Sequence, residues 1–156
     1  MTTEPVATLI ERAGVAHRVP GNDDIYPGHQ NGVLLYAEAF AHDHPDVALK
    51  FMRAYLRGVR DYNDALHNGT ISGPKADEVI AILSKAIPGA NPALYRETVN
   101  AAIDPDGKVN VASLARDLAF FRSQGLITAD ISAEKLVDSS FATKAAADLG
   151  PYQPMH

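Results

Sequence analysis

The most regular pattern in the chain runs from Pro45 to about His67, where Ala48, Met52, Tyr55, Val59, Tyr62 and Leu66 recur at spacings of 4, 3, 4, 3 and 4. Those intervals put all six on one side of an α-helix. Pro45 suits the first helical position, Asp46 the first turn, and Asn68-Gly69 reads as the stop. Lys50, Arg53, Arg57 and Arg60 fall on the opposite side, which reads as a solvated face or as a docking patch for an acidic partner.

Shorter periodic stretches surround it. "PVATLIERA", Pro5 to Ala13, predicts a helix with proline at its start and Gly14 just past its end. Pro74 to Ala86 predicts another, with Ala76, Val79, Ile80 and Leu83 inward, followed by a short one from Pro92 to about Ala102. Asn110 is a cap for a helix whose Val111, Leu114, Ala115, Leu118 and Phe121 form the inner face. That helix stops at Gly125, Ser132 offers a new cap, and Gly150-Pro151 ends the last helix.

Only Val33 to Ala37, "VLLYA", has the pattern of a strand: a short apolar run between turn residues, as in a strand buried on both faces. One strand cannot satisfy its own backbone, so its neighbours must come from elsewhere in the chain or from outside it. The chain is therefore expected to be mostly α-helical with one clear strand. Before it, "HRVPGNDDIYPGHQNG" carries Pro20, Gly21, Pro27, Gly28 and Gly32 and is a connector.

At 156 residues the chain has the length of one domain and can bury roughly 70% of the surface it exposes unfolded. A net charge of -5 argues against nucleic acid as a partner, because neutralising phosphates takes an excess of Lys and Arg. Zero cysteines exclude disulfides, thiolate chemistry and Cys-ligated zinc. The longest apolar run falls short of the roughly 18 to 20 residues that span a bilayer, and "MTTEPVATLIERAG" has acids where a signal peptide is basic. The chain as written is expected to be neither exported nor inserted.

Candidate chemistry is sparse. "HDH", His42 to His44, has alternate histidines but no third ligand at a useful spacing, so it reads as a polar cap. "DPDG", Asp104 to Gly107, places its glycine fourth where an EF-hand needs it sixth, and reads as a turn. No serine or acid stands placed to form a triad with His17, His29 or His67. No catalytic residue, metal ligand or cofactor is expected. Glu4-Pro5 and the connector residues Asp23, Asp24, Tyr26, His29 and Gln30 are the candidates for polar recognition, either as surface loop chemistry or as ligand contacts in a cleft.

Four stretches carry a resemblance: "EPVATLIERAG", "GVLLYAEAFAHDHPDVALKFMRAYLRGVRDY", "LARDLAFFRSQGLI" and "KLVDSSFATKAAADLGPY". In that order they resemble the C-terminal half of a periplasmic substrate-binding protein of the NMT1/THI5-like group, which includes nitrate-, sulfonate- and taurine-binding proteins of ABC importers and the pyrimidine-precursor synthases. The resemblance implies an α/β fold of the type 2 periplasmic binding protein kind, here partial. Residues 1–32 would end lobe two and cross between lobes, and residues 33–156 would form the helical C-terminal part of lobe one. It implies a small organic or anionic solute, cleft contacts from Glu4, Tyr26, His29 and Gln30, an ABC permease as partner, and a periplasmic or extracytoplasmic location. The N-terminal half of such a receptor, including the strands that should flank Val33 to Ala37, has no counterpart here, so a complementary half or a second copy of the chain becomes an expected partner. A synthase would need the cysteine-rich motif of those enzymes, which is missing. A free-standing helical interaction domain is the alternative from another class.

Overall fold

The computed structural model describes residues 2–19, 21–88 and 91–155, with the backbone alone for residues 22 and 23. Pro20, one of the connector's turn residues, and the side chain of Asp23 lie outside the described residues. The described chain is mostly helical: α1 (Val6–Arg12), α2 (Asn22–Ile25), α3 (Glu38–Asp43), α4 (Pro45–Ala65), α5 (Ala76–Ala86), α6 (Pro92–Tyr95), α7 (Val111–Ser123), α8 (Ala133–Leu136) and α9 (Ser140–Leu149). A two-stranded antiparallel sheet, β1 (Leu66–His67) with β2 (Thr70–Ile71), sits between α4 and α5.

The sheet is where the sequence pattern predicted only a helix stop. Asn68 and Gly69 both have positive φ, +49° and +79°, which is the backbone of a type I′ hairpin turn and the reason Asn-Gly favours one. α4 ends at Ala65, the chain reverses through Asn68-Gly69, and Leu66 pairs with Ile71. Ile71 is thereby buried at 1% exposure and joins Ala65, Ala76, Val79 and Ile80 in the main apolar cluster, against Tyr62, Leu66, Leu83 and Tyr95. Three of the four residues predicted inward on α5 are in that buried set.

Val33 to Ala37, by contrast, is not a strand. It is extended chain leading into α3, and among the described residues no backbone hydrogen bond engages Val33, Leu34 or Leu35. Among the described residues the predicted strand finds no pairing partner. Side chains hold the segment only at its end: Tyr36 donates its hydroxyl to the Ala48 carbonyl at 2.8 Å, and its ring meets Phe40, Phe51 and Phe141 edge-on. The three residues before it keep their apolar surface open, with Leu35 83% exposed.

α4 is the organising element. It packs most extensively on α9, where Ala48 on one helix and Ala142 and Ala145 on the other are buried; small side chains let helix axes approach closely. Leu56, absent from the predicted stripe, is fully buried on α4. The Asp104–Gly107 turn closes over it: the Asp104 carboxylate accepts from the Asp106 and Lys108 amides, and Gly107, at φ +70°, leaves only 3.0 Å between a would-be Cβ and Leu56 Cδ2.

Arg60 corrects the picture of a wholly solvated basic row. Its side chain is 12% exposed and ion-paired to Asp106 at 3.1 Å, with a further bond to the Pro105 carbonyl. Arg53 reaches Asp148 on α9 at 3.5 Å, and Lys50 pairs with Asp46 one turn away. Next to Arg60, the buried Asp64 accepts from the Tyr152 hydroxyl at 2.7 Å and the Met155 amide at 3.0 Å. This network fastens the C-terminal tail to the last turns of α4.

The stretch after α6 is shorter in helix than its pattern implied. Thr98 and Asn100 bond to each other and to nearby backbone, an alternative that Ser, Thr, Asn and Asp offer to a continuing helix. Tyr62 and Asn63 on α4 then hold residues 101–103 extended. α7 begins as predicted, with the Asn110 side chain accepting from the Ser113 amide, but its apolar face is poorly covered: Ser113 is its only buried residue, and Phe120 and Phe121 are 59% and 42% exposed. The last predicted helix is broken into α8 and α9, the latter started by Asp138, which accepts from the Ser140 amide.

Surface area summarises the contrast. A self-contained chain of 16.7 kDa exposes about 7,600 Å² by the surface-to-mass relation of monomeric proteins. This chain exposes 10723 Å², an excess of about 3,100 Å² over that relation. Among the described residues no helix is long and apolar enough to cross a membrane.

Candidate functional site

Tyr26, His29 and Gln30 come together where the connector lies across the start of α7. Gln30 is used at three points: its backbone amide donates to Ser113 Oγ at 3.0 Å, its Oε1 accepts from the Asn110 amide at 2.8 Å, and its Nε2 donates to the Gly32 carbonyl at 2.7 Å. Asn110 returns a bond from Nδ2 to the Gly28 carbonyl at 2.6 Å. His29 places Nε2 3.4 Å from Asp117 Oδ2 and Nδ1 3.0 Å from Asn31 Oδ1. Its ring stacks on Tyr26 at 4.8 Å, and the Arg116 guanidinium covers Tyr26 at 4.4 Å from the centroid.

The result is a polar latch between two segments that share no apolar core. Its α7 half, Asn110, Ser113, Arg116 and Asp117, was not singled out in the sequence, although spacings of 3 and 4 from Asn110 through Ser113 to Asp117 put a polar row beside the apolar one. The latch consumes both ends of the Gln30 side-chain amide, so a ligand reaching it would find that amide already bonded.

Glu4 belongs to a separate cluster. Its Oε2 accepts from the Thr8 amide at 3.2 Å and the Thr8 hydroxyl at 2.7 Å. Its Oε1 is buried 2.6 Å from Arg18 Nη1, an ion pair without hydrogen-bond alignment. Burial alone would raise this carboxyl, but the hydrogen bonds from Thr8 and the adjacent Arg18 guanidinium outweigh it and hold the group below its ordinary value. Arg18 also pairs with Glu11 at 3.3 Å, and Arg12 crosses to Glu97 at 2.6 Å.

A cleft of about 540 Å³ lies between the N-terminal segment and the α5–α6 region. Leu9, Ile87 and Leu94 supply apolar wall, and Glu4, Asn91 and Asn100 supply polar groups. The volume is in the range of small-molecule sites, about 300–1,000 Å³. Of this lining only Glu4-Pro5 stood out in the sequence, since the opposite wall comes from residues about ninety positions later whose spacing carries no motif.

His42 and His44 do not converge. His42 is exposed and bonds to Asp43 at 2.8 Å, while His44 is the residue between α3 and α4. Among the described residues no group of three or more His, Asp or Glu side chains is placed to hold a metal ion. No family model, curated protein or solved structure matches this chain. Its function is therefore argued from geometry and residue chemistry.

Proposed function

We propose that the chain is the C-terminal portion of the solute-binding component of an ABC importer, working in the periplasm or another extracytoplasmic space on a small organic or anionic solute. Glu4, Tyr26, His29 and Gln30 are the proposed contacts, and the complementary N-terminal portion and the permease are the proposed partners. The observation that carries this reading is Val33–Leu35: an extended apolar segment, exposed and without backbone partners, in a molecule with about 3,100 Å² of surface beyond that of a self-contained chain. A return strand whose neighbours belong to another half would have this character, and covering that excess from both sides would bury about 6,200 Å² in total, at the large end of permanent interfaces, which run to about 5,000 Å² and beyond. The latch at Tyr26–Gln30 supports it further, because a crossing between lobes is expected to be held by polar bonds that can shift when lobes close. The reading involves no catalytic step.

A second reading, a free-standing helical interaction domain, is favoured by one observation: the α4–α9 region with its fastened tail is finished as it stands. The two separate experimentally. The gene's native product, isolated from its own cells, is expected either to be a longer chain or to co-purify with a complementary one, and to bind nitrate, taurine or an aminopyrimidine in calorimetric titration. A monomer of this chain's mass that binds none of the three would overturn the receptor reading.

A further inference from the structure

The cleft between the N-terminal segment and the α5–α6 region restricts the kind of molecule it can hold. We propose that it takes a small organic molecule with an apolar, ring-sized body that is neutral or cationic, and that it discriminates against anions. This deepens the receptor reading, on which it rests for its biological setting, by choosing the organic solute over the anionic one.

Charge is the deciding feature. Among the described lining residues there is one carboxylate, Glu4, and no Lys, Arg or His. The cations of the N-terminal segment are committed elsewhere: Arg12 to Glu97, and Arg18 to Glu4 and Glu11. Glu4 itself stays ionised at neutral pH, because Thr8 and Arg18 hold its carboxyl low. Arg18 is shared between Glu4 and Glu11, so that group keeps one net negative charge; an anion entering would meet it with no cation among the described lining residues, whereas a cation or a hydrogen-bond donor would be welcomed.

The apolar side is equally specific in kind. Leu9 and Ile87 are 48% and 46% exposed, so a ligand between them would cover surface that now faces water. Leu94 lies at the buried end at 9% exposure. Asn91 spends its Oδ1 on the Ala93 amide, and Asn100 spends its Nδ2 on Thr98. Polar recognition here is orientation of an apolar body rather than capture of a charge.

Three compounds of one shape and different charge test this: benzamidinium, benzamide and benzoate, titrated into the full chain while amide chemical shifts of Asn91, Leu94 and Asn100 are followed. Benzamidinium and benzamide are expected to shift these amides saturably, with benzoate weaker than benzamidinium by about tenfold in low salt and by less in 1 M salt. Glu4→Gln, which keeps an acceptor for Thr8, is expected to bring the benzamidinium-to-benzoate ratio to within about twofold. Leu9→Trp fills the mouth at an exposed position where folding is insensitive, and is expected to abolish all three titrations. Benzoate binding as well as benzamidinium, shifts that survive Leu9→Trp, or no saturable shift at these residues would each overturn the proposal. A native product that binds nitrate or taurine while the trio fails here would sink this inference and leave the receptor reading in place.

Discussion

The α4–α9 region and the connector–α7 region are built in different ways. On the α9 side, Leu56, Ala142 and Ala145 are buried, Gly107 closes within contact of Leu56, and the tail is fixed by Asp64 to Tyr152 and Met155. In the other region, residues 21–37 and α7 meet through the Tyr26–Gln30 latch, while Leu35, Phe120 and Leu126 face solvent at 83%, 59% and 71%. The first region is held by the hydrophobic effect and close packing, the second by hydrogen bonds, the Tyr26–His29 stack and the Arg116 guanidinium over Tyr26. Hydrogen bonds each contribute about 1 kcal/mol net, so a latch alone positions a segment without burying its apolar surface. The difference teaches that close packing completes one region, whereas polar bonds position the other and leave its apolar side chains exposed.

The contrast can be broken hardest at Leu56. Leu56→Ala is expected to cost about 2–5 kcal/mol, read as a fall in the urea midpoint, since the Asp104–Gly107 turn and α9 both rest on that side chain. A loss under about 1 kcal/mol would mean the finished region is not closely packed.

The tail gives the next effect, through pH. Burial, then the bond to Asp64 and its charge, push the Tyr152 hydroxyl up to about 12, against a smaller opposing influence from Arg60. The folded chain holds that proton more tightly than the unfolded chain, where the value is about 10. The stabilisation is therefore complete below about pH 10 and lost as pH climbs through about 12. The urea midpoint is expected to be level from about pH 7 to 9 and then to fall, and Tyr152→Phe to make the fall shallower, with a residual slope from Tyr36, Tyr62 and Lys75, whose values are also raised.

In the unfinished region, Gln30→Ala is expected to move the midpoint by about 1 kcal/mol or less, yet to speed hydrogen exchange at the Asn110 amide, which donates to Gln30 Oε1. The smallest stability effect is expected from Leu35→Asp, within about 0.5 kcal/mol. That same substitution is expected to abolish association with a complementary half, so a change visible only in binding sharpens the comparison where stability data are silent.

Much of the helical skeleton could be read directly from periodicity, because α4, α5 and α7 bury or half-bury residues at regular 3 and 4 spacings and carry clear starts such as Pro45 and Asn110. The hairpin was missed because Asn68-Gly69 serves equally as a helix stop and as a type I′ turn, and only the pairing of Leu66 with Ile71 decides between them. The strand at Val33–Ala37 was over-read: local pattern reports suitability for a sheet, whereas a strand needs a neighbour. At the site, Tyr26, His29 and Gln30 were legible as a polar cluster in a connector, but their partners on α7 lie more than eighty residues away in sequence. Arg60 looked like a surface cation because helix periodicity does not foresee that the Pro105–Asp106 turn will fold over it.

Whether the open face truly lacks its cover is tested most directly by amide hydrogen exchange at Val33, Leu34 and Leu35, at a concentration where sedimentation shows a monomer. Exchange near the rate of an unstructured peptide is the expected result, with α4 amides strongly protected in the same sample. Protection of those three amides comparable to that of α4 would contradict the account, because the chain would then be supplying its own neighbours.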